Sequence, residues 1–140
     1  MDTYFGGVNY FNPEYEIYTR YSYSSNEKKG LSNPVVGRTI EDKDGNLWIG
    51  TEGGGLNYYN RRTREFKWYR PQEGRNSISH NNVKALYYDA DKEIIWIGTH
   101  LGGLNKLDIR SGHFTHYRME EGNPNTLPSD IIRDIIPYKS

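Results

Sequence analysis

The sequence predicts an all-β protein built from one antiparallel unit that recurs along the chain, and three observations carry that prediction. A motif returns every 48 residues: Thr3-Tyr4-Phe5-Gly6-Gly7-Val8-Asn9 is answered by Thr51-Glu52-Gly53-Gly54-Gly55-Leu56-Asn57 and by Thr99-His100-Leu101-Gly102-Gly103-Leu104-Asn105. Within each period, short runs rich in Val, Ile, Trp, Tyr and Phe alternate with Gly, Asn, Asp and Pro clusters, the pattern of short strands joined by tight turns. Some runs, such as Leu47-Trp48-Ile49, carry large apolar residues at successive positions. Successive side chains of a strand point to opposite faces, so such a strand is buried on both sides.

The repeat extends beyond the opening motif. Tyr18, Phe66 and Phe114 keep the spacing, as do Tyr21, Tyr69 and Tyr117, and Leu47-Trp48-Ile49-Gly50 returns as Ile95-Trp96-Ile97-Gly98. The interval shortens to 47 between Val36 and Val83. The lost residue is regained in the following turn, where Asp44-Gly45-Asn46 is answered by the longer Asp91-Lys92-Glu93-Ile94.

Taken in order, the chain opens on the last two strands of one unit, within residues 3–21, and then runs through a complete unit containing Leu47-Trp48-Ile49 and an outer strand with Phe66, Trp68 and Tyr69. The next unit is the clearest. Strands are expected at 83–88, 94–99, 104–108 and 113–118, with turns at 89–93 and 109–112 and a glycine link at 101–103. A polar segment, 119–129, leads to a further first strand at 131–136. Four antiparallel strands in a unit of about 40 to 50 residues are the signature of a propeller blade. Gly50 and Gly98, after each Trp, would let a neighbouring blade approach closely. The fold expected is therefore a partial β-propeller of four-stranded antiparallel blades, two complete and flanked by partial ones. It forms one segment over residues 1–140, in units of about 3–50, 51–98 and 99–140. Propellers close with about four to eight blades. The chain is accordingly expected to be part of a longer protein, or to assemble with copies of itself. Its partners would be the remaining blades of a parent propeller or another copy of the chain.

Composition narrows the function. Lys plus Arg and Asp plus Glu both total 18, which argues against nucleic acid or an acidic membrane surface as partner. The mean hydropathy of −0.92 is low, yet 13 Tyr, 3 Trp and 4 Phe are too many for a disordered chain. Tyrosine does much of the core work, with its hydroxyl reaching the wet rim. Without cysteine, the compartment cannot be read from disulfides. Neither a signal-peptide pattern nor an apolar run of membrane-spanning length occurs in these residues, so no direct membrane contact is expected of this segment.

Candidate chemistry is sparse. Asp42-x-Asp44-Gly45-Asn46 hints at a calcium loop but lacks the longer ligand alternation and the distant Glu, and its second copy lacks the Gly; a tight hairpin explains both. The glycine tracts precede no helix and no Lys-Ser/Thr, so they read as turns and not as phosphate cradles. His113 and His116 are three apart on a strand, face opposite sides and cannot share an ion. No catalytic residue, metal ligand or cofactor is assigned. His80, in the link from a fourth strand to the next first strand, and His100, in a link from second to third strand, emerge at the same end of a propeller. Loops on a rigid scaffold carry recognition, so that end is the place for any ligand. Tyr4, Glu52, Arg75, His80, Asn81, Asn82 and His100 are the ligand-binding candidates there. Their aromatic, amide, guanidinium and carboxylate groups suit a sugar, and equally suit a solvated loop.

The stretch Ile40-Glu41-Asp42-Lys43-Asp44-Gly45-Asn46-Leu47-Trp48-Ile49-Gly50-Thr51, followed by Gly53-Gly54-Gly55-Leu56-Asn57, resembles the two-component regulator propeller repeat. So does the lead-in Asn125-Thr126-Leu127-Pro128-Ser129-Asp130-Ile131-Ile132-Arg133. The resemblance implies a piece of the periplasmic sensor of a Bacteroides-type hybrid two-component system. In such systems many repeats form two seven-bladed propellers ahead of a membrane helix, a histidine kinase and a response regulator, and the sensors respond to oligosaccharides. It implies a non-catalytic sensing segment, with kinase activity confined to domains this chain does not contain. The alternative is a propeller scaffold for protein–protein interaction with no small-molecule ligand. An enzyme on a propeller would need convergent acids, a His–Glu pair or a metal site, and the repeats present none.

Overall fold

A computed structural model describes residues 23–135. They form two four-stranded antiparallel sheets, each a meander in chain order. The first holds β1 (Val36–Glu41), β2 (Leu47–Thr51), β3 (Leu56–Asn60) and β4 (Glu65–Tyr69). The second holds β5 (Val83–Asp89), β6 (Ile94–Thr99), β7 (Leu104–Asp108) and β8 (His113–Tyr117). A short 3-10 turn, Glu27–Lys29, precedes them, capped by the Asn26 side chain on the Lys28 N–H. The strands expected in the second blade are present, shifted only at the ends of β5 and β8. The strands expected within 3–21 lie outside the described residues.

The register repeats with the sequence. Gly50 pairs with Leu56 and Gly98 with Leu104, while Trp48 pairs with Tyr58 and Trp96 with Lys106. Both first strands carry an irregularity near their start, between Val36 and Thr39 and between Val83 and Ala85. The first strand expected at 131–136 is a correction: residues 131–135 form no strand, and Ile136 lies outside the described residues. In both blades that strand pairs with a Leu/Ile-Trp-Ile-Gly strand, and none follows in these 140 residues. Among the described residues, 131–135 lie beside no such strand. Ile132 still takes up its place, donating its N–H to the Thr99 carbonyl at 2.8 Å.

The main core lies between the blades. Trp48 and Leu56, with Ile40, Tyr58 and Tyr69 beside them, meet Ile78, Val83, Leu86, Ile95, Ile97, Leu107 and Phe114. Trp48 rests 4.5 Å from Tyr58 and 5.8 Å from Tyr69, between ring centroids, and Tyr69 meets Phe114 across the interface at 5.9 Å. On the other face of β2, Leu47 and Ile49 pack with Leu31, Tyr59 and Phe66. This is the two-sided burial that consecutive apolar residues imply. A Cβ on Gly50 would stand 2.6 Å from Val83 Cγ1, so the glycine after each Trp is what admits the next inner strand. β1 and β5 run close together, and a cleft of about 140 Å³ opens on the outer side between β4 and Phe114, so the blades are wedged about an inner axis.

At one end a charge cluster joins the blades. Glu93 Oε2 accepts from Lys43 Nζ at 2.9 Å, from the β1–β2 turn of the first blade, and from Arg110 Nη2 at 2.7 Å. The Arg110 hydrogen bond first, and the Lys43 one second, pull the Glu93 carboxyl from 4.5 down to about 2. A lowered carboxyl pKa stabilises the folded chain fully above the ordinary value and loses that contribution as pH falls from about 4.5 towards 2. Glu93→Gln is therefore expected to flatten that acid limb of stability against pH, read by urea unfolding between about pH 2 and 6. An unchanged limb would contradict the cluster.

Candidate functional site

The end of the blades opposite that cluster is built by two kinds of link: the β2–β3 and β6–β7 links, and the segments leading into β1 and β5. A buried polar network ties them together. Thr51 Oγ1 donates to the Gly55 carbonyl and accepts from the Gly54 N–H, closing a tight turn. Asn57, buried on β3, accepts from the Ser32 N–H at 2.9 Å and donates to Ser32 Oγ at 2.7 Å, and that hydroxyl donates to the Gly54 carbonyl. Thr99, Gly102, Gly103, Asn105 and Ser79 repeat every one of these bonds in the second blade. Gly55 (φ 79°) and Gly103 (φ 76°) sit in the left-handed region with the Tyr69 and Tyr117 carbonyls where a Cβ would be, so the glycines serve the turn.

Backbone bonds then carry each link onto the next blade. The Asn81 carbonyl accepts from Gly53 and Gly55, and the Asp130 carbonyl from Gly103, while the bond from the His100 N–H to the Asn82 carbonyl stays within the second blade. Glu52 is bridged to Asn82, exposed, and 3.5 Å from Lys84 Nζ. His80 Nδ1 accepts from the Asn82 N–H at 3.0 Å, so that nitrogen carries no proton and Nε2 does. Burial, then the neighbouring His100 and Arg118, push the His80 pKa below its usual 6.5, which favours this neutral ring. Asn82 Oδ1 is buried with no hydrogen-bond partner among the described residues.

Glu52, His80, Asn81, Asn82 and His100 are thus brought together around two adjoining links. Arg75 is not among them in contact; it stands exposed in the turn between β4 and β5, its N–H on the Gln72 carbonyl. Tyr4 lies outside the described residues. Two residues that sequence reasoning passed over join the group. Arg118 donates to the Leu101 carbonyl at 3.3 Å and pairs with Asp130 at 3.3 Å, while Asp130 also accepts from the Met119 N–H. A signal existed: Arg118 lies 48 residues after Arg70, which likewise binds a carbonyl, that of Ser32.

The other sequence candidates have structural places. Asp42 spends both carboxylate oxygens within its own hairpin, on the Asp44 and Asn46 N–H groups and on Trp48 Nε1. His116 binds the Ser77 carbonyl, and His113 is exposed. Among the described residues no three His, Asp or Glu side chains are grouped to hold a metal, and no helix is long and apolar enough to cross a membrane. The arrangement offers a neutral imidazole, a second imidazole, a guanidinium, two carboxylates and amides on a rigid end surface. Those groups form hydrogen bonds with a polar ligand.

Comparison with known proteins places this geometry. Residues 30–53 and 77–100 match the family model described as two component regulator propeller; each match runs from the lead-in segment through the first two strands of a blade. The extracellular domain of the putative hybrid two component system BT3049 from B. thetaiotaomicron is 31% identical over 72% of this chain, with a TM-score of 0.65. The extracellular domain of BT4673 from the same organism, described as a one component system, is 26% identical over 81% of this chain at a TM-score of 0.63. A second structure of BT4673, described as a hybrid two component system, is 24% identical over 84% at 0.61 and supports the fold alone. The chain spans only 14% to 16% of the length of these structures. No curated protein matches it.

Proposed function

The chain is built from two-component regulator propeller repeats, and from that premise we infer a non-catalytic segment of the periplasmic sensor region of a hybrid two-component system histidine kinase, serving oligosaccharide sensing. The observation that carries this reading is the coincidence of the family match with both described blades, in a chain whose structural neighbours are extracellular domains of such systems. The periplasmic location follows from the same likeness. The ligand contacts proposed are Glu52, His80, Asn81, Asn82 and His100, with Arg118 and Asp130 beside them; Arg75 stands apart from this group, and Tyr4, outside the described residues, is a candidate on its sequence position alone. The β2–β3 links sit on rigid strands and cross to the next blade through backbone bonds, so a ligand seated there would pull on two blades at once. That is a mechanical route from binding to signal.

Restoring the blades is part of the reading. Trp96 is only half-buried, Leu104 likewise, and Tyr117 is 39% exposed, whereas Trp48 and Leu56, the first-blade equivalents of the first two, are buried under the second blade. The partner for that face is the next blade of a parent propeller or another copy of this chain. Calorimetry of the blade-complete protein with a panel of glycan oligosaccharides tests the sensing function. Saturable binding is expected, weakened roughly tenfold by His100→Ala, the loss of about one hydrogen bond. Absence of binding across the panel would sink it.

One observation favours a second reading, a protein-binding scaffold. Leu101, Met119 and Ile131 are 50%, 44% and 37% exposed and flank the Arg118–Asp130 pair at the same end of the blades. Under that reading Leu101→Asp abolishes partner capture and no oligosaccharide binds.

A further inference from the structure

We propose that the Asn76 side chain is a strand surrogate that keeps the outer edge of the second blade closed against pairing with another chain. β8 is the last strand of its sheet, so alternate residues turn their backbone N–H and C=O groups outward. The register places His113, Thr115 and Tyr117 opposite Asp108, Lys106 and Leu104. Phe114, whose N–H and C=O both go to Asn76, and His116 two residues on present the free edge. An unpaired edge is a template for a strand from elsewhere.

Asn76 occupies that template. Its Oδ1 accepts from the Phe114 N–H at 2.8 Å and its Nδ2 donates to the Phe114 carbonyl at 2.9 Å. These are the two bonds that a residue of a neighbouring strand would make. One side chain supplies both because a carboxamide carries the donor and acceptor of a peptide unit. The neighbouring bond holds the segment in place: His116 Nε2 lies 2.6 Å from the Ser77 carbonyl, which can only accept, so Nε2 carries the hydrogen.

Two facts separate a guard from ordinary loop packing. The turn that bears Asn76 closes on itself through Gln72 N–H to Ser77 Oγ and Arg75 N–H to the Gln72 carbonyl, so these N–H groups are satisfied without β8, which takes up the Ser77 carbonyl alone. The first blade meets the same problem with different residues. Trp68 Nε1 donates to the Gly30 carbonyl at 2.8 Å, and the Glu27 carboxylate accepts from the outward Trp68 N–H at 2.7 Å. Trp68 and His116 are 48 apart and Gly30 and Ser77 are 47 apart, the same intervals that relate the blades elsewhere. The anchoring bond keeps its place in the repeat and the edge is covered both times, by a carboxylate in one blade and a carboxamide in the other.

The expected occupant of an opened edge is the same edge of a second copy. An antiparallel pair centred on Thr115 would set Phe114 against His116 of the other copy and bring the two Thr115 residues together as a close, non-hydrogen-bonded pair. The chain has no cysteine, so Thr115→Cys gives a single thiol at that point. In the 140-residue chain, Asn76→Ala/His116→Ala/Thr115→Cys is expected to form an intermolecular disulfide under mild oxidation, whereas Thr115→Cys alone stays reduced. Analytical ultracentrifugation of Asn76→Ala/His116→Ala should show a concentration-dependent gain in mass over the parent chain. Exposed Asn76 can also be changed alone: Asn76→Ala should speed exchange of the Phe114 amide at least roughly tenfold at low concentration, the loss of about one hydrogen bond. No disulfide with unchanged Phe114 exchange would overturn the proposal. So would association of the triple variant that leaves its introduced thiol uncrosslinked, because it would run through another surface.

Discussion

Trp48→Ala is expected to lower the melting temperature by more than about 10 °C, whereas Trp96→Ala costs only a few degrees. The two tryptophans hold the same place in successive repeats, but Trp48 is paired with Tyr58 and lies against the second blade, whereas Trp96 is paired with Lys106. Trp48 is 2% exposed, is packed into the core between blades, and donates its Nε1–H to Asp42 Oδ2 at 3.0 Å. Truncating a fully buried aromatic to alanine costs about 3–5 kcal/mol. For a domain of this size each kcal/mol moves the melting point by roughly 4–8 °C. Removing the indole also leaves the Asp42 oxygen without that donor, which adds to the loss. Trp96 is half-buried, with Lys106 Nζ 5.9 Å and Tyr117 6.0 Å from its ring and no described blade above it. Its replacement forfeits about 1 kcal/mol of partial burial. Calorimetric scans of the two variants decide the matter. Equal losses would mean that the interface between the blades is not the main core. If the second blade is covered by a further blade in a longer protein, the same pair of substitutions there should converge, with Trp96→Ala becoming as costly as Trp48→Ala.

That contrast also shows what a sequence of this kind reveals and what it withholds. Strand positions are legible because Leu47-Trp48-Ile49 and Ile95-Trp96-Ile97 announce two-sided burial by residue type alone, and Gly50 and Gly98 announce a close neighbour. The same letters do not say which Trp is covered, since coverage depends on whether another blade packs against it. The strand expected at 131–136 fails over 131–135 for the same reason: its apolar pattern is that of β1 and β5, but a ladder needs a partner strand, and pattern carries no information about partners. At the candidate site, the order of strands and links is enough to place His80 and His100 at one end. The Arg118–Asp130 pair is only half legible: Arg118 repeats Arg70 at the 48-residue interval, but its pairing with Asp130 is set by side-chain reach. Arg75 groups with His80 only if the link between β4 and β5 is treated as one unit, whereas its first half turns back on itself and faces β8.

The polar network at the candidate end offers the second large effect, because it binds stability to the position of the site. Asn57→Ala is expected to destabilise the chain by about 2–4 kcal/mol, since it removes a buried amide, strands the Ser32 N–H away from water and leaves the Ser32 hydroxyl only its bond to the Gly54 carbonyl. A hydrophobic residue at a fully buried strand position ordinarily stabilises, so a loss on replacing this polar one identifies its bonds as the cause. Ser32→Ala removes the other side of the same network, leaving Asn57 Nδ2 and the Gly54 carbonyl unmatched. Groups that share bonds are not additive: the double variant should lose less than the sum of the singles, with a coupling of about 1–2 kcal/mol in urea unfolding. Additive losses would show that the two residues act only through packing. The functional consequence follows from the geometry. Ser32 and Thr51 hold Gly54, which lies just beyond Glu52 and between the two glycines that bind the Asn81 carbonyl. Asn57→Ala at a temperature where the chain stays folded should therefore loosen the β2–β3 link, seen as faster amide exchange at Gly54 and Gly55, while the identical link of the second blade at Gly102 and Gly103 keeps its protection. Asn105→Ala should reverse the pattern. A network that merely filled space would slow or speed both links alike, whereas one that sets the shape of each link confines the change to its own blade and, in the blade-complete protein, weakens any ligand held between Glu52 and His100 from either side.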